Sequence, residues 1–303
     1  MNLLIIGGSG FLSGTLTRIA LDAGHRVTVI TRGLRAAPSG ATALVADRDD
    51  EAAFSAAVSA FSGDWDLVVD CIAFKAEHAA QTIRHFRHRA GRVVFISTDF
   101  VIASAGRTFP QDADTATCRT DDSYGGRKRR CEVAFESLLS EWSGWTILRP
   151  AHIYGPGSLL GCLPGHGRQP DLVRHILDNR PLHLVGAGHF LQQPVFAPDL
   201  ARVILATPEA PASSGETYMV PGPEIIESRR YYEVIGALLD RPVRIEEIPV
   251  DTYRDTHPDK DPFLCHRIYD SAKLVRHGLP APATPFIEGM RAHLHSLSAL
   301  PSS

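Results

Sequence analysis

Met1-Asn2-Leu3-Leu4-Ile5-Ile6-Gly7-Gly8-Ser9-Gly10-Phe11-Leu12-Ser13-Gly14 opens the chain, and its reading decides the fold. An apolar run breaks into glycines, then resumes with Leu16, Ile19 and Ala20 at helical spacing. That is the pattern of a buried strand, a tight turn and a helix beginning at the turn. A helix N-terminus presents unpaired N–H groups and a partial positive charge, and glycines let a pyrophosphate approach the backbone. Gly7, Gly10, Phe11 and Leu12 are therefore candidate cofactor-binding positions. Gly7-x-x-Gly10 followed by Ser13 departs from the full three-glycine fingerprint, so its place directly after a strand carries the argument.

Working outward, Val27–Ile30, Ala43–Ala46, Asp66–Ala73, Arg92–Ser97 and Trp145–Leu148 read as further strands. Gly14–Ala23, Glu51–Phe61, Glu77–Arg89 and Tyr124–Leu139 read as helices between them. This alternation predicts an α/β fold: a doubly wound parallel Rossmann sheet covered on both faces, with ligands at the C-terminal strand edge. The second half is less regular. Gly155–Pro170 is too rich in Gly and Pro for a helix or central strand, and reads as a mobile substrate loop or a plain connection. Leu172–Leu177, Leu200–Ala206 and Tyr231–Leu239 look helical, and Pro285–Leu297 a closing helix with proline in its first turn. The expected division is a dinucleotide-binding domain over residues 1–160, with 190–222 returning to it, and a smaller mixed substrate lobe from 161–189 and 223–303.

A chain of 303 residues can bury a large core. Its formal charge of −3 gives no general attraction to nucleic acid or anionic membrane. No apolar stretch is long enough to span a bilayer, and the opening run lacks a basic leader, so a cytoplasmic protein is expected. Cys71, Cys118, Cys131, Cys162 and Cys265 form no C-x-x-C, which suggests neither a disulfide framework nor a zinc site. Arg127–Arg130, and His85 with His88, read as solvated helix faces rather than a nucleic-acid tag or metal pair.

The chemistry-bearing residues sit at strand ends. After the second strand come Thr31, Arg32 and, shortly beyond, Arg35, with no carboxylate to bind a ribose 2′-hydroxyl. A planar guanidinium suits a 2′-phosphate, which favours NADP(H), with NAD(H) the alternative. Asp47, past the third strand, is placed to accept from the adenine amino group. Arg48 beside it is included among the cofactor positions, a plain surface charge being the other reading for it and for Asp50. Ser97-Thr98-Asp99 leaves the fifth strand, and Tyr124 and Lys128 share a helical face at i and i+4. A free tyrosine titrates near ~10, and a lysine cation nearby favours the phenolate.

These pieces together resemble the extended short-chain dehydrogenase/reductases, the NAD-dependent epimerase/dehydratase group. Leu148-Arg149-Pro150 with Tyr154-Gly155-Pro156, Asp199-Leu200-Ala201, and the tail Tyr269-Asp270-Ser271-Ala272-Lys273-Leu274 add to the match. The resemblance implies Tyr124 as acid/base, Lys128 as its electrostatic and ribose partner, and Thr98 as the hydroxyl orienting the substrate oxygen. It implies that Ile72, Ala73, Ser97, Pro150 and Ile153 line the cofactor. Ser97-Thr98-Asp99 resembles the motif of nucleotide-sugar dehydratases and dehydrorhamnose reductases. Phe100 stands where the dehydratases carry a basic glutamate, which argues against elimination. Asp99 is left as a proton donor or a structural cap, and His152 as a possible substrate contact. Gln192 falls where nucleotide-sugar members carry a diphosphate-gripping arginine; Arg168, Arg174 or Arg180 could substitute. The implied activity is an NAD(P)-dependent oxidoreductase acting on a small sugar-like or secondary-metabolite carbonyl. The alternatives are a sugar or nucleotide-sugar epimerase and a non-catalytic NAD(P)-binding regulatory subunit. Pairing into a homodimer through two helices of the first domain is also implied.

Overall fold

A computed structural model describes residues 1–61, 63–164 and 167–297; two residues of the expected Gly155–Pro170 loop, 165 and 166, lie outside it. The first half runs β1 (Asn2–Ile6), α1 (Phe11–Asp22), β2 (Arg26–Thr31), β3 (Thr42–Val45), α2 (Glu51–Ser59), β4 (Trp65–Asp70), α3 (Ala76–Phe86), β5 (Ala90–Ile96), α4 (Tyr124–Glu136) and β6 (Trp145–Pro150). The second half continues β7 (Ile153–Tyr154), α5 (Leu172–Leu177), β8 (Leu182–Val185), β9 (Leu191–Gln192), β10 (Val195–Phe196), α6 (Ala197–Ala206), β11 (Glu216–Val220), β12 (Ile226–Glu227) and α7 (Ser228–Leu238). It ends with β13 (Ile245–Ile248), α8 (Val250–Thr256), α9 (Ala272–Arg276) and α10 (Phe286–Ser296). Among the described residues, no helix is long and apolar enough to cross a membrane.

Seven strands form one parallel sheet in the order β3-β2-β1-β4-β5-β6-β11. β1 pairs with β2 on one side and β4 on the other, so the winding reverses there and opens a crevice at the C-terminal strand ends. Successive residues of β1 face opposite sides of the sheet, and both sides are dry. Leu3 and Ile5 pack under α1 and α6 with Leu16, Ala20, Leu200 and Ile204. Leu4 and Ile6 pack over α2, α3 and α4 with Phe54, Phe86, Cys131 and Phe135. That double burial explains the unbroken apolar run; each such side chain contributes about 1.5–3 kcal/mol. Gly8 is held at φ 77° against Val29, with no room for a Cβ.

β11 is the strand that sequence reasoning passed over; it pairs with β6 and buries Tyr218, Met219 and Val220. A separate core, including Tyr154, Leu172, Leu184, Tyr231, Phe286 and Met290, builds the substrate-side lobe. The expected placement of 223–303 wholly in that lobe needs correction, because Leu274 and Leu279 lie in the core beneath the main sheet.

Arg48 also requires correction. It is 5 % exposed and so not a surface charge, although it does line the outer hollow. Its Nη1 pairs with Asp70 Oδ1 at 2.8 Å and its Nη2 donates to the His78 carbonyl at 2.8 Å. Asp70 in turn accepts from the Ile72 amide at 3.0 Å, which ends β4 at Asp70 rather than at Ala73 and shapes the crevice floor. Asp50 caps α2 by accepting from the Ala53 amide at 3.0 Å. Asp70→Asn leaves a buried guanidinium uncompensated and is expected to cost about 3–5 kcal/mol in urea unfolding. The Arg48→Met/Asp70→Leu double variant recovers most of that loss; a single-variant cost below about 1 kcal/mol would contradict the buried-pair account.

Candidate active site

Two hollows run into one another along the C-terminal edge of the sheet, sharing Gly10, Ser13, Ile72 and Phe74. The first, of about 510 Å³, lies between the β1–α1 turn and the ends of β2 and β3. The second, of about 550 Å³, lies over the ends of β4, β5 and β6. A groove of this shape fits an extended dinucleotide, with the start of α1 at its middle. Gly7 turns there at φ 123°, and the Gly10 amide donates to Ser13 Oγ at 3.1 Å. At the outer end the Thr31 hydroxyl accepts from the Gly33 amide at 3.0 Å, shaping the turn. Arg32 and Arg35 line that hollow in solvent, and among the described residues neither has an ion-pair partner. Asp47, exposed at the rim, accepts from the Asp49 amide at 3.0 Å.

The inner hollow brings together Phe11, Leu12, Ser97, Thr98, Asp99, Tyr124, Lys128, Pro150, His152 and Ile153. α4 delivers two of them. Ser123 caps it by accepting from the Gly126 amide at 3.2 Å, and a Cβ at Gly125 would run into the Phe100 carbonyl. The glycines after Tyr124 therefore let the helix start directly against the Thr98–Phe100 turn. Tyr124 stands between Phe74 and Phe100, with ring centroids 6.4 and 6.3 Å away. Burial, then the Asp99 charge, raises its phenol above the ordinary tyrosine value; Arg168 and a hydrogen bond from Thr98 pull the other way. Thr98 itself is buried and accepts from the Phe100 amide at 3.3 Å.

Lys128 differs from expectation. Its ammonium, 1 % exposed, donates to the Ala73 carbonyl at 2.9 Å and the Ile96 carbonyl at 2.6 Å. Arg168 is also a cation that bears on Tyr124. Burial brings Lys128 down to about 8. Ala73 thus contributes a carbonyl to the site floor. Ser97 is equally committed: its hydroxyl donates to Glu132 Oε1 at 2.5 Å, and Glu132 is gripped by Arg149 at 2.8 Å. Sequence reasoning missed Glu132, although it lies one helical turn beyond Lys128 on the same face.

Asp99 is 3 % exposed, and its Oδ2 accepts from the Tyr269 hydroxyl at 2.7 Å. Arg107 Nη1 donates to the same hydroxyl at 3.1 Å. Tyr269 and Arg107, remote in sequence, were not foreseen as site-supporting residues. His152 faces the hollow edge-on to Tyr231; burial and the charges of Arg168 and Arg267 push it down to about 3, so it is neutral at physiological pH. Gln192 needs correction as a substrate contact. It is 2 % exposed, donates to Ser228 Oγ at 3.1 Å, and is not among the residues lining the hollow. Arg174 and Arg180 both pair with Asp178. Of the three arginines considered, Arg168 is the one that lines the hollow.

The match to known proteins agrees with this geometry. Residues 3–220 match the model of the NAD dependent epimerase/dehydratase family, and the chain belongs to that family. It is similar to a (4-alkanoyl-5-oxo-2,5-dihydrofuran-3-yl)methyl phosphate reductase of Streptomyces griseus, 28 % identical over 145 residues, 48 % of this chain and 47 % of that protein. It is also similar to the chloroplast stem-loop binding protein of 41 kDa b of Arabidopsis thaliana, 26 % identical over 241 residues, 74 % and 59 % of the two chains. The chain thus spans about half to three-fifths of the length of these curated relatives. Among solved structures, the UDP-glucose 4-epimerase of Thermotoga maritima with UDP-glucose superposes with a TM-score of 0.79 at 17 % identity, covering 98 % and 99 % of the chains. An epimerase of Methanothermobacter thermautotrophicus gives 0.82 at 16 %, covering 98 % and 92 %. At these identities the structures establish the fold.

Lys128 yields a signed pH prediction. Its folded value of about 8 lies below the usual 10.5, so above about pH 8 the unfolded chain keeps a proton that the folded chain has lost. Wild type should therefore gain stability relative to Lys128→Met as pH rises from about 8 toward 10.5, at up to about 1.4 kcal/mol per pH unit and about 3 kcal/mol in all. Urea unfolding of both proteins across that window reads the difference. A flat difference would mean that Lys128 is not desolvated.

Proposed function

We propose that the protein is a dinucleotide-dependent oxidoreductase that interconverts a carbonyl and a carbinol on a small organic substrate. The observation that carries this reading is the convergence of Thr98, Tyr124 and Lys128 on one hollow continuous with the dinucleotide groove. Bound nicotinamide would supply or accept the hydride. Tyr124 delivers a proton to the substrate oxygen in reduction and removes it in oxidation, while the Thr98 hydroxyl orients that oxygen. Lys128 holds positive charge at the floor and is placed to meet the nicotinamide ribose as well as the two carbonyls. Phe100 offers no base for elimination beside Asp99, which supports simple redox chemistry over dehydration. The reductase name of the Streptomyces griseus relative accords with this reading.

Arg32 and Arg35, unpaired at the adenosine end, support a 2′-phosphate and hence NADP(H) as the preferred cofactor, within a family described as NAD dependent. Arg32→Ala/Arg35→Ala is expected to weaken NADPH binding about tenfold or more while leaving NADH binding within about twofold, read by nicotinamide fluorescence. Equal losses for both cofactors would sink the preference.

Tyr124→Phe removes the proton while keeping the ring. Turnover on a responsive ketone should fall about two orders of magnitude or more, a loss of ~3–4 kcal/mol, with cofactor affinity nearly unchanged. Full activity in that variant would overturn the assignment. Dinucleotide released on denaturation settles the remaining choice: stoichiometric NAD from a protein that takes up no added cofactor supports an epimerase instead.

A further inference from the structure

The polar groups around the inner hollow are mostly held from behind its walls. Ser97 gives its hydroxyl to Glu132, and the Lys128 ammonium is held by the Ala73 and Ile96 carbonyls. Asp99, almost fully buried, accepts from the Tyr269 hydroxyl at 2.7 Å. The loop over the hollow is treated in the same way. The Gly161 amide donates to the Tyr231 hydroxyl at 3.2 Å and the Cys162 amide to the Tyr232 hydroxyl at 3.1 Å. The Tyr232 hydroxyl donates back to the Cys162 carbonyl at 3.1 Å. The Leu163 carbonyl accepts from Arg267 at 3.0 Å and from Ser228 Oγ at 3.3 Å. Arg168 stands in solvent at the rim, with one N–H on the Ile153 carbonyl at 3.0 Å.

What is left facing the hollow is largely apolar: Phe11, Leu12, Phe74, Phe100, Pro150 and Leu163. Phe74 and Tyr124 leave 46 % and 44 % of their surfaces open. Phe100 stands between the Tyr124 ring, 6.3 Å away, and Phe263, which meets it edge-on at 5.1 Å. Open aromatic rings lining a concave site receive a flat ring by offset or edge-on packing. The Thr98 and Tyr124 hydroxyls remain to meet one oxygen. The ring nitrogens of the neutral His152 have no hydrogen-bond partner among the described residues. A sugar would bring several hydroxyls to this wall, and each one left unanswered weakens binding by about tenfold.

We propose that the substrate is an aryl ketone or aldehyde, a carbonyl borne on a flat aromatic body rather than on a sugar. This rests on the oxidoreductase reading and deepens it. The aromatic body lies against Phe100 and Leu163, and the carbonyl oxygen meets Thr98 and Tyr124. The corresponding aryl carbinol differs from it by one hydride and one proton, the hydride exchanged with the dinucleotide and the proton with Tyr124.

The test is calorimetric titration of the full chain with acetophenone, acetone and UDP-glucose. The chain is first saturated with NADP+, or with NAD+ if only that binds, so that no ketone is turned over. Wild type should bind acetophenone about tenfold or more tightly than acetone, and more tightly than UDP-glucose. Phe100→Asn should remove most of the advantage of acetophenone over acetone, and Phe100→Leu should keep part of it. Dinucleotide affinity, read in the same samples, should stay within about twofold in both variants, which shows that they are folded. Acetophenone binding no better than acetone, UDP-glucose binding more tightly than acetophenone, or Phe100→Asn binding acetophenone as wild type does would each overturn the aryl substrate while leaving the oxidoreductase reading standing. A wild-type chain that binds neither dinucleotide overturns the oxidoreductase reading and the substrate with it.

Discussion

Glu132 is the point on which the geometry of the inner hollow depends. It is fully buried, one turn along α4 from Lys128, and it receives the Arg149 guanidinium from β6, the Ser97 hydroxyl from β5 and Arg129 from its own helix. A carboxylate taken out of water at this depth persists only because every side of it is answered. Each of those answers comes from an element that also carries part of the site. β5 leads directly into Ser97 and Thr98, β6 ends in Pro150, and α4 begins with Tyr124. Moving any one of the three would unpair a buried charge, so the relative placement of Thr98, Tyr124 and Lys128 is held by electrostatics as well as by packing. Removal of Glu132 would leave the buried Arg149 guanidinium without a carboxylate, while Arg129 keeps Glu136.

The parts of this arrangement that follow a local rule were legible in the sequence. The glycine turn after Ile6, the alternation of strands and helices, and the i, i+4 spacing of Tyr124 and Lys128 all express short-range chemistry. What escaped depends on distant partners. Arg48 reads as a charge beside other charges, and nothing local says that Asp70, 22 residues on, will draw it into the floor. Gln192 aligns with a ligand-gripping position, yet Ser228 and the surrounding core hold it behind the wall. β11 is short, and its right to join the sheet comes from the open edge of β6 rather than from its own pattern. The two carbonyls that hold the Lys128 ammonium, Ala73 and Ile96, were not legible either, since both lie on other elements.

Opposed charges set the working state of Tyr124. Burial and Asp99 favour the neutral phenol, while Arg168 and Thr98 favour the phenolate. The net effect holds the phenol above the ordinary tyrosine value. Asp99 is itself supported from the far end of the chain, through Tyr269 and Arg107. Arg168 stands on the irregular Gly/Pro segment. The regular half of the molecule thus carries Thr98, Asp99 and Tyr124, and the irregular half carries Arg168.

That division has a consequence for how the site changes in evolution or design. Substitutions within β5, α4 or β6 are constrained by the Glu132 network and by close backbone approach at Gly125, so the elements that carry Tyr124 and Lys128 are difficult to alter singly. Arg168 and Phe263 answer to looser local constraints: one lies on a hairpin-like loop, the other at the end of a short helical turn. Exchanging Arg168 alters the charge presented to the inner hollow while leaving the Glu132 network in place. The relative placement of Thr98, Tyr124 and Lys128 is thus locked by buried charge, and that of Arg168 is not.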